Sequence, residues 1–247
     1  MFDVNGKTIA ITGASSGIGL AMASHLVSNG ANVIGVARRD EALRKWVENT
    51  DGNTAFVTAD LSVIAALPDI ASEIASPFGD VDILINAAGL NPRKHADDVT
   101  FDAWNAAIDI NLSAPFFLAQ SMVPAMREAG WGRIINFASL QSQRAFENGI
   151  SYGAAKGGVV QMTRAMAQAW SRDGITANAI APGFFPTELT APVFSDPTLA
   201  KKNADQTCIG RNGTMQDLEG PVQFLCSDAS AYITGQTLYV DGGFTAK

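Results

Sequence analysis

Cysteine, histidine and basic charge are all scarce in this sequence, and each shortage excludes something. Only two cysteines occur in 247 residues, Cys208 and Cys226, with no CxxC pair and no Cys/His cluster. A disulfide framework is therefore not expected, and reduced thiols of a cytoplasmic protein are. The two histidines, His25 and His95, stand apart from each other and from both cysteines, so no metal site is expected. Seventeen Lys and Arg face 24 Asp and Glu, a net charge of −7 that is the wrong sign for tracking phosphate backbones, and no nucleic-acid partner is expected. No run of about 18 apolar residues is evident, and Met1 to Lys7 lacks the apolar core of a signal peptide, so no membrane partner is expected.

What is present is apolar. Hydrophobic residues make up 47% and charged residues 17%, which suits a packed core rather than disorder. A chain of this size buries roughly 70–75% of its unfolded surface. Neither a repeat nor a linker-like composition shift occurs, so residues 1–247 read as a single domain.

Short β-rich runs alternate with helical spacing throughout. Strands are expected at Thr8–Thr12, Asn32–Ala37, Thr54–Thr58, Val81–Asn86, Arg133–Ala138, Thr176–Ile180 and Thr237–Val240. Helices are expected at Leu20–Asn29, Asp40–Glu48, Phe101–Glu128, Ile150–Arg172 and Asp217–Ser227, with a stretch at Leu61–Ala75 that Pro68 should kink. Residues 183–213 look long and irregular. Strands joined by such helices require right-handed crossovers, hence a doubly wound α/β fold with a seven-stranded parallel sheet. Ligands in such sheets bind beyond the carboxyl ends of the strands.

Three features there carry chemistry. Gly13-Ala14-Ser15-Ser16-Gly17-Ile18-Gly19 follows the first strand. Its glycines let the backbone approach a pyrophosphate, which would sit on the free N–H groups of the next helix. The second strand ends at Arg38 and Arg39, where an acidic residue would meet a ribose 2′-hydroxyl. Guanidinium groups suit a 2′-phosphate, so NADP is expected, with NAD as the alternative. A merely solvated arginine pair stays open here, and Asp40 sits beside it. Tyr152 and Lys156 share a helix face, and an ammonium beside a phenol should lower the phenol's pKa towards working pH. Ser139 lies just past a strand, placed to hydrogen-bond a carbonyl oxygen.

With these residues in view, the chain resembles the short-chain dehydrogenase/reductase family over essentially its whole length. The pattern TGxxxGxG at Thr12–Gly19 matches, as do Asp60-Leu61, Asn86-Ala87-Ala88-Gly89, Asn111, the Ser139/Tyr152/Lys156 spacing, Pro182-Gly183 with Thr187, and Asp241-Gly242-Gly243. The resemblance implies that Tyr152 is the acid/base and that Lys156 holds the nicotinamide ribose. It implies that Ser139 orients the substrate oxygen and Asn111 anchors a relay water. Asp60 and Leu61 would meet adenine, and Asn86, Ala88, Pro182, Gly183 and Thr187 would line the cofactor, with Phe184 and Phe185 covering the nicotinamide. Homotetramers or homodimers are common in the family.

Substrate contacts are expected from the loops after the fourth to sixth strands, with Arg93, Gln141 and Arg144 as candidates for a hydroxylated or anionic small molecule. Residues 183–213 resemble the family's mobile substrate lid. The wording from Asn178 to Thr190 is similar to the gluconate 5-dehydrogenase branch, which implies oxidation of a sugar, polyol or aldonate. The alternatives are a 3-oxoacyl-(acyl-carrier-protein) reductase and, in another class, a non-catalytic NADP-binding regulator.

Overall fold

The computed structural model describes residues 2–247, so Met1 lies outside the described residues. Seven parallel strands form one sheet: β1 (Thr8–Thr12), β2 (Asn32–Ala37), β3 (Thr54–Thr58), β4 (Ile83–Asn86), β5 (Gly132–Phe137), β6 (Ile175–Pro182) and β7 (Thr237–Val240). Their spatial order is β3-β2-β1-β4-β5-β6-β7. The chain winds outward from β1 to β3, returns to β4 and winds the other way. The reversal opens a crevice beyond the ends of β1 and β4.

Helices cover both faces because strand residues alternate sides. Ile9, Ile11, Val33, Ile83, Ile85, Ile135 and Phe137 pack on one side, against α1 (Gly17–Ser28), α2 (Asp40–Glu48) and α9 (Gln216–Cys226). Ala10, Ile34, Val36, Leu84 and Ile134 face the other, against α3 (Leu67–Ala75), α5 (Ala114–Ala129) and α6 (Ile150–Trp170). The doubly wound parallel sheet expected from the alternating pattern is what the chain adopts.

Proline placement departs from expectation in informative ways. Pro68 lies in the first turn of α3, where a missing N–H costs nothing, and therefore starts a helix rather than kinking one. Within the run from α4 (Phe101–Ile108) to α5, residues Asp109–Ser113 form one wide π turn. Pro115 has no N–H to offer the Asn111 carbonyl, and the wider turn takes up the mismatch: Ala114 N–H donates to Asp109 O, five residues back.

Contrary to the expectation that no long apolar run occurs, Phe101–Ala129 is long and apolar enough, by length and composition, to cross a membrane. Here it lies along the sheet, with Leu118, Ala119, Met122, Val123 and Met126 in the core. Residues 183–213 are also more ordered than the expected irregular loop. They hold a 3-10 turn at Glu188–Thr190, then α7 (Ala191–Phe194) and α8 (Pro197–Gln206).

Candidate active site

The site forms where β1, β4, β5 and β6 end. Thr12, Asn86 and Asn136 are register partners across β1, β4 and β5, so the loops that follow begin abreast. Gly13 turns with φ +73°, and a Cβ there would fall 2.9 Å from the Ala88 backbone. A Cβ on Gly19 would fall 2.4 Å from the Gly13 carbonyl oxygen. Both positions exclude side chains because backbone meets backbone. Thr12 Oγ1 accepts from the N–H groups of Ala87 and Ala88, each at 3.0 Å, locking the two loops together.

Ser16 precedes α1 in extended conformation, yet its side chain makes no capping bond. The first-turn N–H groups next to Ile18 are left without a side-chain acceptor, which is the donor set a pyrophosphate requires. The glycine cradle and this uncapped helix start therefore fit a dinucleotide.

On the ribose side the two arginines part company. Arg38 is largely exposed, with Nη1 4.0 Å from Asp60 Oδ2. Ser62 donates its N–H and hydroxyl to Asp60, holding that carboxyl below its ordinary pKa, while Leu61 is buried. Arg39 reaches across to the glycine-rich turn, donating from Nε to Ser15 Oγ at 3.0 Å and from Nη2 to Ser16 Oγ at 2.6 Å. Its Nη1 donates to Glu188 Oε1 at 2.8 Å. Glu188 carries no sequence signal beyond being an acidic residue directly after Thr187.

Four side chains converge beyond β4 and β5. The π turn buries Asn111, whose Nδ2 donates to the carbonyls of Leu90 (2.8 Å) and Ala107 (2.9 Å). Its Oδ1 is buried without a partner, a lone acceptor facing Gly89 and suited to a water. Ser139 follows β5, and its Oγ accepts from Gln141 N–H at 3.1 Å. Tyr152 and Lys156 lie on the buried face of α6. Lys156 Nζ donates to the Phe137 carbonyl at 2.7 Å, and burial pulls its pKa from 10.5 to about 8.

The expectation that Lys156 lowers the Tyr152 pKa is corrected. Burial raises the phenol above its ordinary value, and the opposing influences are a Ser139 hydrogen bond and the charge of Arg93. Lys156 Nζ sits 5.6 Å from the Tyr152 ring centroid and is itself desolvated, so desolvation wins for both groups.

Other expected residues fall unevenly. Gly183 N–H bonds Val240 O at 2.9 Å, which holds the loop after Pro182 against the end of β7. Thr187 packs on Gly17, where a Cβ would lie 3.3 Å from its side chain. Asn86 is not aimed at the crevice. Its Nδ2 donates to Asn136 Oδ1 at 2.9 Å, and Asn136 donates to Thr163 on α6, a buried chain that sets α6 against the sheet. Phe185 does not present its ring to the crevice: the ring is buried in the core against Gly213. Phe184 instead joins Phe146 and Phe244 in an aromatic cluster with centroids 5.7–6.2 Å apart.

Arg93 adopts φ +50° and donates to the Leu189 carbonyl at 2.8 Å, close enough to Tyr152 to favour its phenolate. Gln141 packs its side chain over Gly149. Arg144 donates to the Lys247 carbonyl at 3.3 Å and lies over Phe244, which turns it towards the chain's last residues. Gln141 and Arg144 line a groove of about 840 Å³ beside α6, together with Lys94, His95 and Phe146. Neither Ser139 nor Tyr152 lines it, so the groove lies outside the cluster of Asn111, Ser139, Tyr152 and Lys156.

Residues 13–245 match a family model described as enoyl-(acyl carrier protein) reductase. The chain belongs to the short-chain dehydrogenase/reductase family and is an oxidoreductase of that class. Among its relatives is 2-dehydro-3-deoxy-D-gluconate 5-dehydrogenase of Dickeya dadantii, 36% identical over 252 residues, covering 100% of this chain and 98% of the relative. A 3-oxoacyl-(acyl-carrier-protein) reductase of Salmonella typhimurium is 36% identical over 238 residues, covering 96% of this chain and 97% of the relative. Among solved structures, a gluconate 5-dehydrogenase from Burkholderia cenocepacia in complex with NADP and tartrate superposes with a TM-score of 0.94. It is 35% identical and covers 100% of this chain and 98% of that one.

Proposed function

We propose that the protein interconverts a secondary alcohol and a ketone on a sugar acid of the aldonate type, with NADP. The observation that carries this reading is Arg93, a cation held beside Tyr152 by its bond to Leu189. A guanidinium next to the reacting oxygen suits a carboxylate carried on the same small molecule. The Burkholderia cenocepacia enzyme, solved with NADP and the hydroxylated dicarboxylate tartrate, supports the same chemistry.

In this reading Ser139 donates to the substrate oxygen, and Tyr152 takes the alcohol's proton during oxidation and returns it during reduction. Lys156 holds the nicotinamide ribose, and the unpartnered Asn111 Oδ1 anchors a water through which the proton leaves. The nicotinamide, when bound, accepts or supplies the hydride. We read the whole chain as one cytoplasmic catalytic domain with a mobile lid over about 183–213. Exposed Phe101, Trp104 and Phe117 along the α4–α5 run support self-assembly as a homotetramer or homodimer.

Replacing Arg93 tests the substrate class. Arg93→Gln should raise KM for an aldonate by about ten-fold or more, the usual cost of losing a charged hydrogen bond, with kcat changed far less. A neutral polyol should lose only the smaller share that comes through the Tyr152 pKa, and equal losses on both substrates would reject the reading. The 36% identity to the Salmonella typhimurium reductase favours a second reading, reduction of 3-oxoacyl thioesters. In that case the thioester would be turned over and the aldonate ignored.

A further inference from the structure

The Arg39 cluster bridges two parts of the crevice that are far apart in sequence. Arg39 follows β2, Ser15 and Ser16 belong to the glycine-rich turn, and Glu188 opens the lid after β6. All four side chains share hydrogen bonds. Arg39 reaches Ser15, Ser16 and Glu188, and Ser16 Oγ itself donates to Glu188 Oε2 at 3.0 Å. The Glu188 carboxylate is thus an anion seated on a guanidinium and a serine hydroxyl. A ribose 2′-phosphate requires the same donors.

We propose that Glu188 is a nucleotide-selectivity residue: it competes with the ribose 2′-phosphate of NADP for Arg39 and Ser16, while NAD, with a 2′-hydroxyl, meets no such competition. The inference rests on the NADP reading above and refines it.

Three observations support the competition. The pair is exposed, with Arg39 and Glu188 side chains 50% and 65% accessible, so it exchanges readily with a ligand anion. Arg39 is the shared cation. The other guanidinium nearby, Arg38, faces Asp60 instead, and Asp40 is engaged by Arg44 and Thr58. The Arg39 hydrogen bond also keeps the Glu188 carboxyl below its ordinary pKa, so it stays an anion at neutral pH.

The arrangement also ties the nucleotide side to the substrate side. Glu188 is held by Arg39, and the next residue, Leu189, by Arg93. Adjacent residues of the lid therefore carry the two cations assigned to the cofactor and to the substrate.

The test is direct binding, by calorimetry, of NADP, NAD, 2′,5′-ADP and 5′-ADP to the wild type, Glu188→Gln, Arg39→Gln and the double variant. Glutamine keeps the shape and can still accept from Ser16, and thermal melts check that each variant folds. Glu188→Gln should tighten NADP and 2′,5′-ADP by about two- to ten-fold, the range of an exposed ion pair plus relieved repulsion, with NAD and 5′-ADP changed less than about two-fold. In the Arg39→Gln background the Glu188 change should lose its 2′-phosphate effect. An unchanged ratio of NADP to NAD affinity in Glu188→Gln overturns the proposal. If Arg39→Gln weakens NADP no more than NAD, the 2′-phosphate does not bind Arg39 and the cofactor reading fails with it.

Discussion

Lys156 makes the protein less stable than it needs to be. Its ammonium is buried on α6, where burial brings its pKa from 10.5 to about 8. That difference corresponds to about 3 kcal/mol against the charged form in the folded state. Lys156→Met removes the buried charge and also the 2.7 Å bond to the Phe137 carbonyl. Losing that donor costs about 1–2 kcal/mol, so the net effect is a gain of about 1–2 kcal/mol at pH 7.

The pH dependence carries the sign. The folded pKa lies below the unfolded one, so unfolding takes up a proton between pH 8 and 10.5. Wild-type stability therefore gains from this site as pH rises through that window. The methionine variant has no such gain, so its advantage is full below pH 8 and turns into a deficit of about 1–2 kcal/mol above 10.5, where only the lost hydrogen bond remains. Urea midpoints at pH 7 and pH 10.5, at one protein concentration, measure it directly. On heating, the gain appears as about 2–4 °C per kcal/mol at pH 7. The same variant should lose nearly all turnover. A Lys156→Met protein that is less stable at pH 7, or whose stability difference from the wild type is equal at both pH values, would show that the buried ammonium carries no such penalty.

Three further outcomes follow from the same geometry. Tyr152→Phe should cut turnover by about 10²–10⁴-fold while leaving NADP affinity, read by calorimetry, within about two-fold; retained turnover would remove Tyr152 from its role. Because burial raises the Tyr152 pKa and Arg93 opposes it, kcat/KM for alcohol oxidation should climb with pH in the alkaline range. Arg93→Gln should move that limb to higher pH, and a shift to lower pH would contradict the assignment. Gly19→Ala places a methyl group 2.4 Å from the Gly13 carbonyl oxygen, where only backbone movement can relieve it. It should lower stability by about 1–3 kcal/mol and weaken dinucleotide binding, both measurable by denaturation with and without NADP.

Much of the architecture is legible because strand periodicity and glycine placement are local signals. The alternation of Ile9, Ala10 and Ile11, or of Ile83, Leu84 and Ile85, shows a strand covered on both faces before any partner is known. Gly13 and Gly19 mark the nucleotide turn because no other residue fits there. Asn111 is legible only through resemblance, since the π turn that buries it arises from a proline four residues later. The Tyr152–Lys156 spacing shows a shared helix face, but not that burial outweighs the attraction between the two groups. Glu188 is not legible in the sequence because its partner Arg39 lies 149 positions away, a pairing that only the fold reveals. The inward turn of the Asn86 and Phe185 side chains is not legible, because resemblance gives positions in the chain and not the direction of each side chain.

In the proposed reaction Tyr152, Ser139 and Arg93 act together on an alcohol beside a carboxylate. Following nicotinamide absorbance with aldonates, their keto acids, neutral polyols and a short 3-oxoacyl thioester, each with NADP(H) and NAD(H), tests it in one plate. The sugar acids and their ketones should be turned over, with NADP(H) preferred. Turnover of the thioester alone, or of nothing while NADP(H) still binds, would contradict it.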